Sequence, residues 1–164
     1  MELYFLRHGI AADRGAVRVA DDSQRPLTDE GIKKLRSEAK GIKCLRLGLE
    51  AVYSSPYVRA RDTAEIVLDA LKLRVPLHYT ETLTPGARAE DFVAFLEGIA
   101  VERALFVGHE PSMSQLIAAL IGGPQAAVEM KKGGLARVDC RIGDGRVYGC
   151  LVWLATPDML EALA

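Results

Sequence analysis

The sequence predicts an α/β chain with three layers, α/β/α, whose mostly parallel central sheet ends in an antiparallel C-terminal hairpin. Three observations carry that expectation. Short apolar runs of strand-forming residues alternate with stretches of helical period. Three of those runs stop abruptly in loops carrying Arg, His, Ser or Gly. The last part of the chain then changes pattern, to two longer strand-like runs around Gly143-Asp144-Gly145-Arg146. A length of 164 residues suits one domain, residues 1–164, with a sizeable core; two full domains would be cramped.

The elements follow in order. Leu3–Leu6 is a buried strand that stops at Arg7-His8-Gly9. Ala11–Pro26 is polar and mixed, a long connecting loop. Thr28 then caps a helix with acids in its first turn, and Ile32, Leu35, Ala39 and Ile42 give it one apolar face. Ala51–Ser54 is a second strand, ending in Ser55-Pro56. Its helix carries Ala60, Ala64, Val67 and Leu71 on one side. Phe92, Phe95, Leu96 and Ile99 mark a third helix, followed by the strand Ala104–Val107. Gly108-His109-Glu110-Pro111 leads into a helix through Met113, Leu116, Ile117 and Leu120. Leu135–Ile142 and Val147–Leu154 form the hairpin, and a short helix follows Pro157.

Composition excludes several classes of function. Lysine and arginine number 21 against 22 acids, so the net charge of −1 gives no reason to expect a nucleic-acid polymer or an anionic membrane as partner. The N-terminal segment has no basic n-region and only four consecutive apolar residues, so it reads as neither signal peptide nor membrane span. Cys44, Cys140 and Cys150 are odd in number and show no CxxC spacing. They read as small core residues in a reducing cytoplasm, not as disulfides or a zinc site. No cofactor and no metal are expected, since neither a carboxylate cluster nor a His-rich spacing is present.

In parallel sheets, ligands bind beyond the carboxyl ends of the strands. Three strand ends here carry Arg7-His8-Gly9, then Ser54-Ser55-Pro56 with Arg59 and Arg61 close behind, and Gly108-His109-Glu110. Arginine matches a phosphate because its planar fork donates paired hydrogen bonds and keeps its charge. Helix N-termini add backbone donors and a positive dipole. Two histidines, the arginines and two helix starts therefore describe a pocket for a dianion, in which a neutral histidine is a competent nucleophile toward phosphorus. Taken singly, each residue has a plainer reading. Arg59 alone reads as a solvated helix face or surface ion pair, and His109 alone as a hydrogen-bonded structural histidine. His78, in Pro76–Tyr79, is structural or at the surface. Lys131 and Lys132 belong either to a solvated loop or to the pocket rim.

Leu6-Arg7-His8-Gly9, Ser54–Thr63 and Val107–Pro111 together resemble the histidine phosphatase (phosphoglycerate mutase-like) superfamily, in order and spacing over nearly the whole chain. Arg25–Thr28, Leu83-Thr84-Pro85 and Trp153–Pro157 resemble its SixA-like phosphohistidine phosphatase branch. The resemblance implies the phosphoglycerate mutase-like fold, with His8 as nucleophile forming a phosphohistidine intermediate. It further implies Arg7 and Arg59 on the phosphoryl oxygens and His109 completing the pocket. Arg61 is out of register with the family arginine, and Arg25 is a candidate for lining the site. Many members use a glutamate after the third strand as general acid. Here Glu81 falls one residue from that place, with Thr82 in it, and Asp13 is another candidate.

The resemblance implies a metal-independent phosphatase acting on phosphohistidine in a protein, such as a histidine-containing phosphotransfer domain. Its short length implies a shallow, open pocket. The alternatives are a phosphomonoesterase for a small metabolite and an inactive phosphate-binding regulatory module; a mutase would need extra segments to retain its phosphorylated intermediate.

Overall fold

A computed structural model of the chain describes residues 1–13, 15, 21–123, 125–143 and 146–164. Six strands, β1 (Glu2–Arg7), β2 (Ala51–Ser54), β3 (Leu77–Tyr79), β4 (Arg103–Gly108), β5 (Leu135–Gly143) and β6 (Arg146–Ala155), form one sheet in the order β3-β2-β4-β1-β5-β6. The first four in that order pair in parallel, and β5 and β6 add antiparallel. The helices are α1 (Asp29–Cys44), α2 (Val58–Leu71), α3 (Ala89–Glu97), α4 (Ser112–Ile121) and α5 (Pro157–Ala162). The predicted α/β fold and its C-terminal hairpin are therefore observed; residues 144 and 145 of the expected turn lie outside the described residues, as do 14 and 16–20 of the expected loop.

Alternation along the buried strands creates the layers. Leu3 and Phe5 on β1, with Ala104 and Phe106 on β4, face one side, where they meet Phe92 and Leu96 of α3 and Met113, Leu116 and Ile117 of α4. Phe106 stacks on Phe5 at 5.5 Å and meets Phe92 edge-on at 5.1 Å, a geometry that aromatic quadrupoles favour. Tyr4, Leu6, Leu105 and Val107 face the other side, against Leu35, Ala39 and Ile42 of α1, Ala60, Ala64 and Val67 of α2, and Leu160 of α5. Thr28 caps α1 as expected, its Oγ1 accepting the Gly31 N–H at 2.9 Å. No helix among the described residues is long and apolar enough to cross a membrane.

Three expectations need revision. Strand β3 was not expected from the residue pattern, because only three residues pair and His78 and Tyr79 are exposed, leaving no apolar period. Ile99 lies past the end of α3. Of the cysteines only Cys140 is in the core; Cys44 and Cys150 are exposed, because Cys44 ends the amphipathic α1 and Cys150 lies on β6, an edge strand of the sheet.

Helix α1 also buries an acid. Glu38 is 2% exposed, and its carboxylate packs on Gly133, whose φ of +82° turns the chain into β5 and whose missing side chain leaves the carboxylate its space. Its Oε2 has no hydrogen-bond partner among the described residues. Burial, with Glu161 and Asp158 nearby, pushes the carboxyl up to about 7 against the pull of Lys34. Between the ordinary glutamate range and pH 7 the folded chain therefore keeps a proton that the unfolded chain has released, and stability falls as pH rises. Replacing Glu38 by Gln removes this dependence. Denaturant unfolding should show the variant gaining roughly 2–3 kcal/mol on wild type between pH 5 and pH 8, and an equal difference at both pH values would contradict it.

Candidate active site

The site begins with strand register. Arg7 of β1 lies opposite Gly108 of β4, so the next residues, His8 and His109, leave the sheet side by side. The His8 N–H donates to the Gly108 carbonyl at 3.0 Å, and the two imidazole centroids are 4.9 Å apart. Across β4, Ser54 of β2 pairs with Val107, and Ser55 N–H donates to the Val107 carbonyl at 2.9 Å. Helix α2 then starts at Val58 and brings Arg59 over the same edge. The three strand ends singled out in the sequence do converge.

His8 is 6% exposed. Its Nδ1 lies 2.7 Å from the Gly9 carbonyl, which can only accept, so Nδ1 carries the proton and Nε2 keeps its lone pair. That Nε2 receives a hydrogen bond from Arg59 Nε at 3.3 Å. Burial, then the charges of Arg59, Arg7 and Lys132, hold the imidazole down at about 3 despite the Gly9 hydrogen bond. Thr63 fixes this loop to α2, accepting from Gly9 N–H at 3.1 Å and donating to the Arg59 carbonyl at 2.6 Å.

Arg59 is 2% exposed, and its far edge is held by Asp22. Nη1 donates to the Asp22 carbonyl at 2.7 Å and Nη2 to its Oδ2 at 2.9 Å. Arg25 approaches the other carboxylate oxygen at 3.1 Å and donates to the Ala12 carbonyl at 2.8 Å. Arg25 therefore reaches the site through Asp22, a residue that sequence reasoning missed because nothing marks it within a polar loop. Arg7 is half-buried and donates to the Met130 carbonyl at 2.6 Å. The turn before β5 supports it: Gly133 N–H donates to the carbonyls of Arg7 and His8, and Arg7 N–H to that of Gly134. Lys131 and Lys132 are exposed on this turn, and the charge of Lys132 is felt at His8, which favours the rim reading over a remote solvated loop.

His109 is 1% exposed, with Nε2 2.9 Å from Ser55 Oγ and Tyr57 edge-on at 5.1 Å. Its Nδ1 is buried with no partner among the described residues. Burial, with His8 and the Arg59 and Arg25 charges, lowers it to about 2, while Asp22 opposes the shift. Ser55 and Tyr57 were also missed, although the Ser54-Ser55-Pro56 strand end was the available signal.

Other candidates stand apart. Glu81 is exposed at the start of a 3-10 turn, Glu81–Leu83, and makes no hydrogen bond or ion pair to His8, Arg7, Arg59 or His109 among the described residues. The turn is fastened down instead: Leu83 is fully buried and Ser112 donates to the carbonyls of Thr84 and Pro85. Asp13 is exposed beside the undescribed segment. Arg61 is exposed and pairs with Asp62 at 3.7 Å, and His78 stacks on Tyr53 from the surface side of β3.

A neutral nitrogen lone pair held by one guanidinium, with the charge of a second nearby, attracts an anion and can attack its central atom. Fold and site together define an α/β enzyme of phosphoryl chemistry. Residues 3–84 match the profile of the histidine phosphatase superfamily (branch 1). The chain is 33% identical over 126 residues to the phosphohistidine phosphatase SixA of Escherichia coli (strain K12), covering 75% of this chain and 76% of that protein. A solved structure of the protein histidine phosphatase SixA complexed with tungstate superposes with a TM-score of 0.82 at 31% identity, over 96% of this chain and 98% of that one. An α-ribazole phosphatase structure from Shigella flexneri shares the fold, with a TM-score of 0.72 at 20% identity over 96% and 97% of the two chains. The chain belongs to the histidine phosphatase superfamily, in its SixA-like branch, and is a phosphatase.

The lowered values of both histidines have a direct readout. Nuclear magnetic resonance titration of imidazole-labelled protein should find His8 and His109 neutral from pH 8 down to pH 5, with both midpoints below that range. A midpoint near the ordinary histidine value for either ring would show that the pocket does not exclude a proton as described.

Proposed function

We propose that the chain hydrolyses phosphohistidine on a protein partner through a phosphorylated His8, in the cytoplasm. The observation that carries this reading is the unprotonated Nε2 of His8, 3.3 Å from Arg59 Nε and beside His109. Residues 1–164 act as one domain in this reading.

The His8 lone pair attacks phosphorus in line as the bond from phosphorus to the substrate imidazole nitrogen breaks. The bonding pair leaves on that nitrogen, which takes a proton from solvent. Nδ1–H, held by the Gly9 carbonyl, supports the positive charge that develops on the His8 ring. Arg7, Arg59 and His109 stabilise the three equatorial oxygens. Water then attacks phosphorus, the bond to Nε2 breaks, and phosphate leaves with His8 neutral again.

Two features support a phosphohistidine substrate. An imidazole leaves more readily than an alkoxide, so the chemistry tolerates the exposed position of Glu81. The SixA relatives are named for this substrate, and one binds tungstate, a tetrahedral oxyanion.

The test compares a phosphorylated histidine-containing phosphotransfer domain with a chromogenic phosphate ester, using wild type and His8→Ala. Wild type should dephosphorylate the protein and form an acid-labile phosphoenzyme. His8→Ala should lose roughly 10³-fold or more on both substrates. Turnover of small esters alone would assign a metabolite phosphomonoesterase, and turnover of neither a binding module. A working general acid contributes roughly 10²–10⁴-fold, so Glu81→Gln should leave hydrolysis within a factor of about two. A hundredfold loss would restore Glu81 to the mechanism.

A further inference from the structure

We infer that Ser55 is a positioning residue that fixes the tautomer of His109, donating its hydroxyl proton to Nε2 so that Nδ1–H faces the phosphoryl group. The inference rests on the phosphatase reading, but its evidence is the hydrogen-bond inventory around one buried hydroxyl.

Ser55 is fully buried. Its Oγ accepts the Tyr57 backbone N–H at 3.3 Å and lies 2.9 Å from His109 Nε2. A serine hydroxyl has one proton to give and two lone pairs. With one lone pair taken by Tyr57, two arrangements remain. If Nε2 carries the proton, it donates to Ser55, and the serine proton has no acceptor among the described residues. Nδ1 would then turn a bare lone pair toward the substrate, opposing the phosphoryl oxygens. If Ser55 donates to Nε2, the serine proton is placed, Tyr57 fills one lone pair, and only the second lone pair stays empty. The donor left over is then Nδ1–H, buried and without a partner among the described residues. A buried donor without an acceptor is costly until an anion meets it, so its unmade bond is reserved for the ligand.

His8 reaches the same tautomer by another route, since its Nδ1–H is held by its neighbour's carbonyl, Gly9. The two rings are therefore protonated alike and presented oppositely: His8 offers a lone pair to phosphorus and His109 a proton to oxygen. Tyr57 contributes to the same device. Its N–H occupies a Ser55 lone pair, while its ring flanks both His109 and the Arg59 guanidinium.

The test uses imidazole-labelled protein at neutral pH. Nitrogen chemical shifts should show His8 and His109 both as Nδ1–H tautomers in wild type. In Ser55→Ala, His109 should move toward the Nε2–H form while His8 stays unchanged. On a chromogenic ester, kcat should fall on the order of 10²-fold, as for loss of one transition-state donor. KM should move far less, because the loss falls on the transition state. Orthovanadate should lose more affinity than inorganic phosphate. Ser55→Thr keeps the hydroxyl and should keep the Nδ1–H signal. Finding His109 as Nε2–H in wild type overturns the inference, and this measurement does not depend on whether any variant folds. Unchanged kcat and tautomer in a folded Ser55→Ala would overturn it equally. Failure of wild type to form a phosphoenzyme would instead sink the phosphatase reading.

Discussion

The parallel pairing of β1 with β4, in the register that sets Arg7 beside Gly108, is the constraint from which the site follows. Shifting a strand by one residue turns every side chain to the other face. Such a slip of β1 would send Phe5 into the layer of α1 and α2, and would separate His8 from His109. The core therefore enforces the register, and the register places two imidazoles in contact without any direct bond between them. Gly108 closes the arrangement. A side chain there would meet the Met113 sulfur at 2.8 Å and the Leu83 carbonyl at 3.0 Å, so its absence lets the 80–85 segment settle on the end of β4.

The electrostatics share that origin. Burial keeps both histidines neutral while two arginines and a rim lysine supply positive charge nearby. An anion entering this cluster would meet cations that cannot lose their charge and a nitrogen that is already unprotonated. Asp22 restrains the excess by holding the far edge of Arg59 and pairing with Arg25. Counter-charge on one side of the guanidinium leaves Nε directed at His8 Nε2.

Much of this was legible from residues alone. Arg7-His8, Arg59 and His109 could be read because each directly follows a buried strand or opens the next helix, and strand ends are where such sheets bind ligands. The four longer helices were legible from apolar period. What escaped was of two kinds. Strand β3 is short and largely exposed, held by backbone pairing to β2, which leaves no pattern in side chains. Asp22 acts through contacts with segments far apart in sequence, and nothing in its own neighbourhood distinguishes it from ordinary loop residues. Ser55 and Tyr57 lie at a strand end that was singled out, but the contact of Ser55 with His109, 54 residues away, is not written in the local pattern. Exposed Cys44 and Cys150 show the converse error, since a residue type that favours interiors says little about one position on an edge strand or at a helix end.

Among the fully buried side chains the bulkiest is not aromatic but Arg59, and Ser55 and His109 are at least as inaccessible. The chemical groups are thus structural members of the molecule, each filling volume that no smaller residue would fill. Descendants of this chain have little freedom to alter them gradually, because a change in chemistry is at once a change in packing. The exposed Lys131 and Lys132 of the rim, and Arg61, Asp13 and Glu81 apart from it, carry no such burden. Substitution at these exposed positions changes charge alone, whereas at the buried cluster it disturbs packing and charge together.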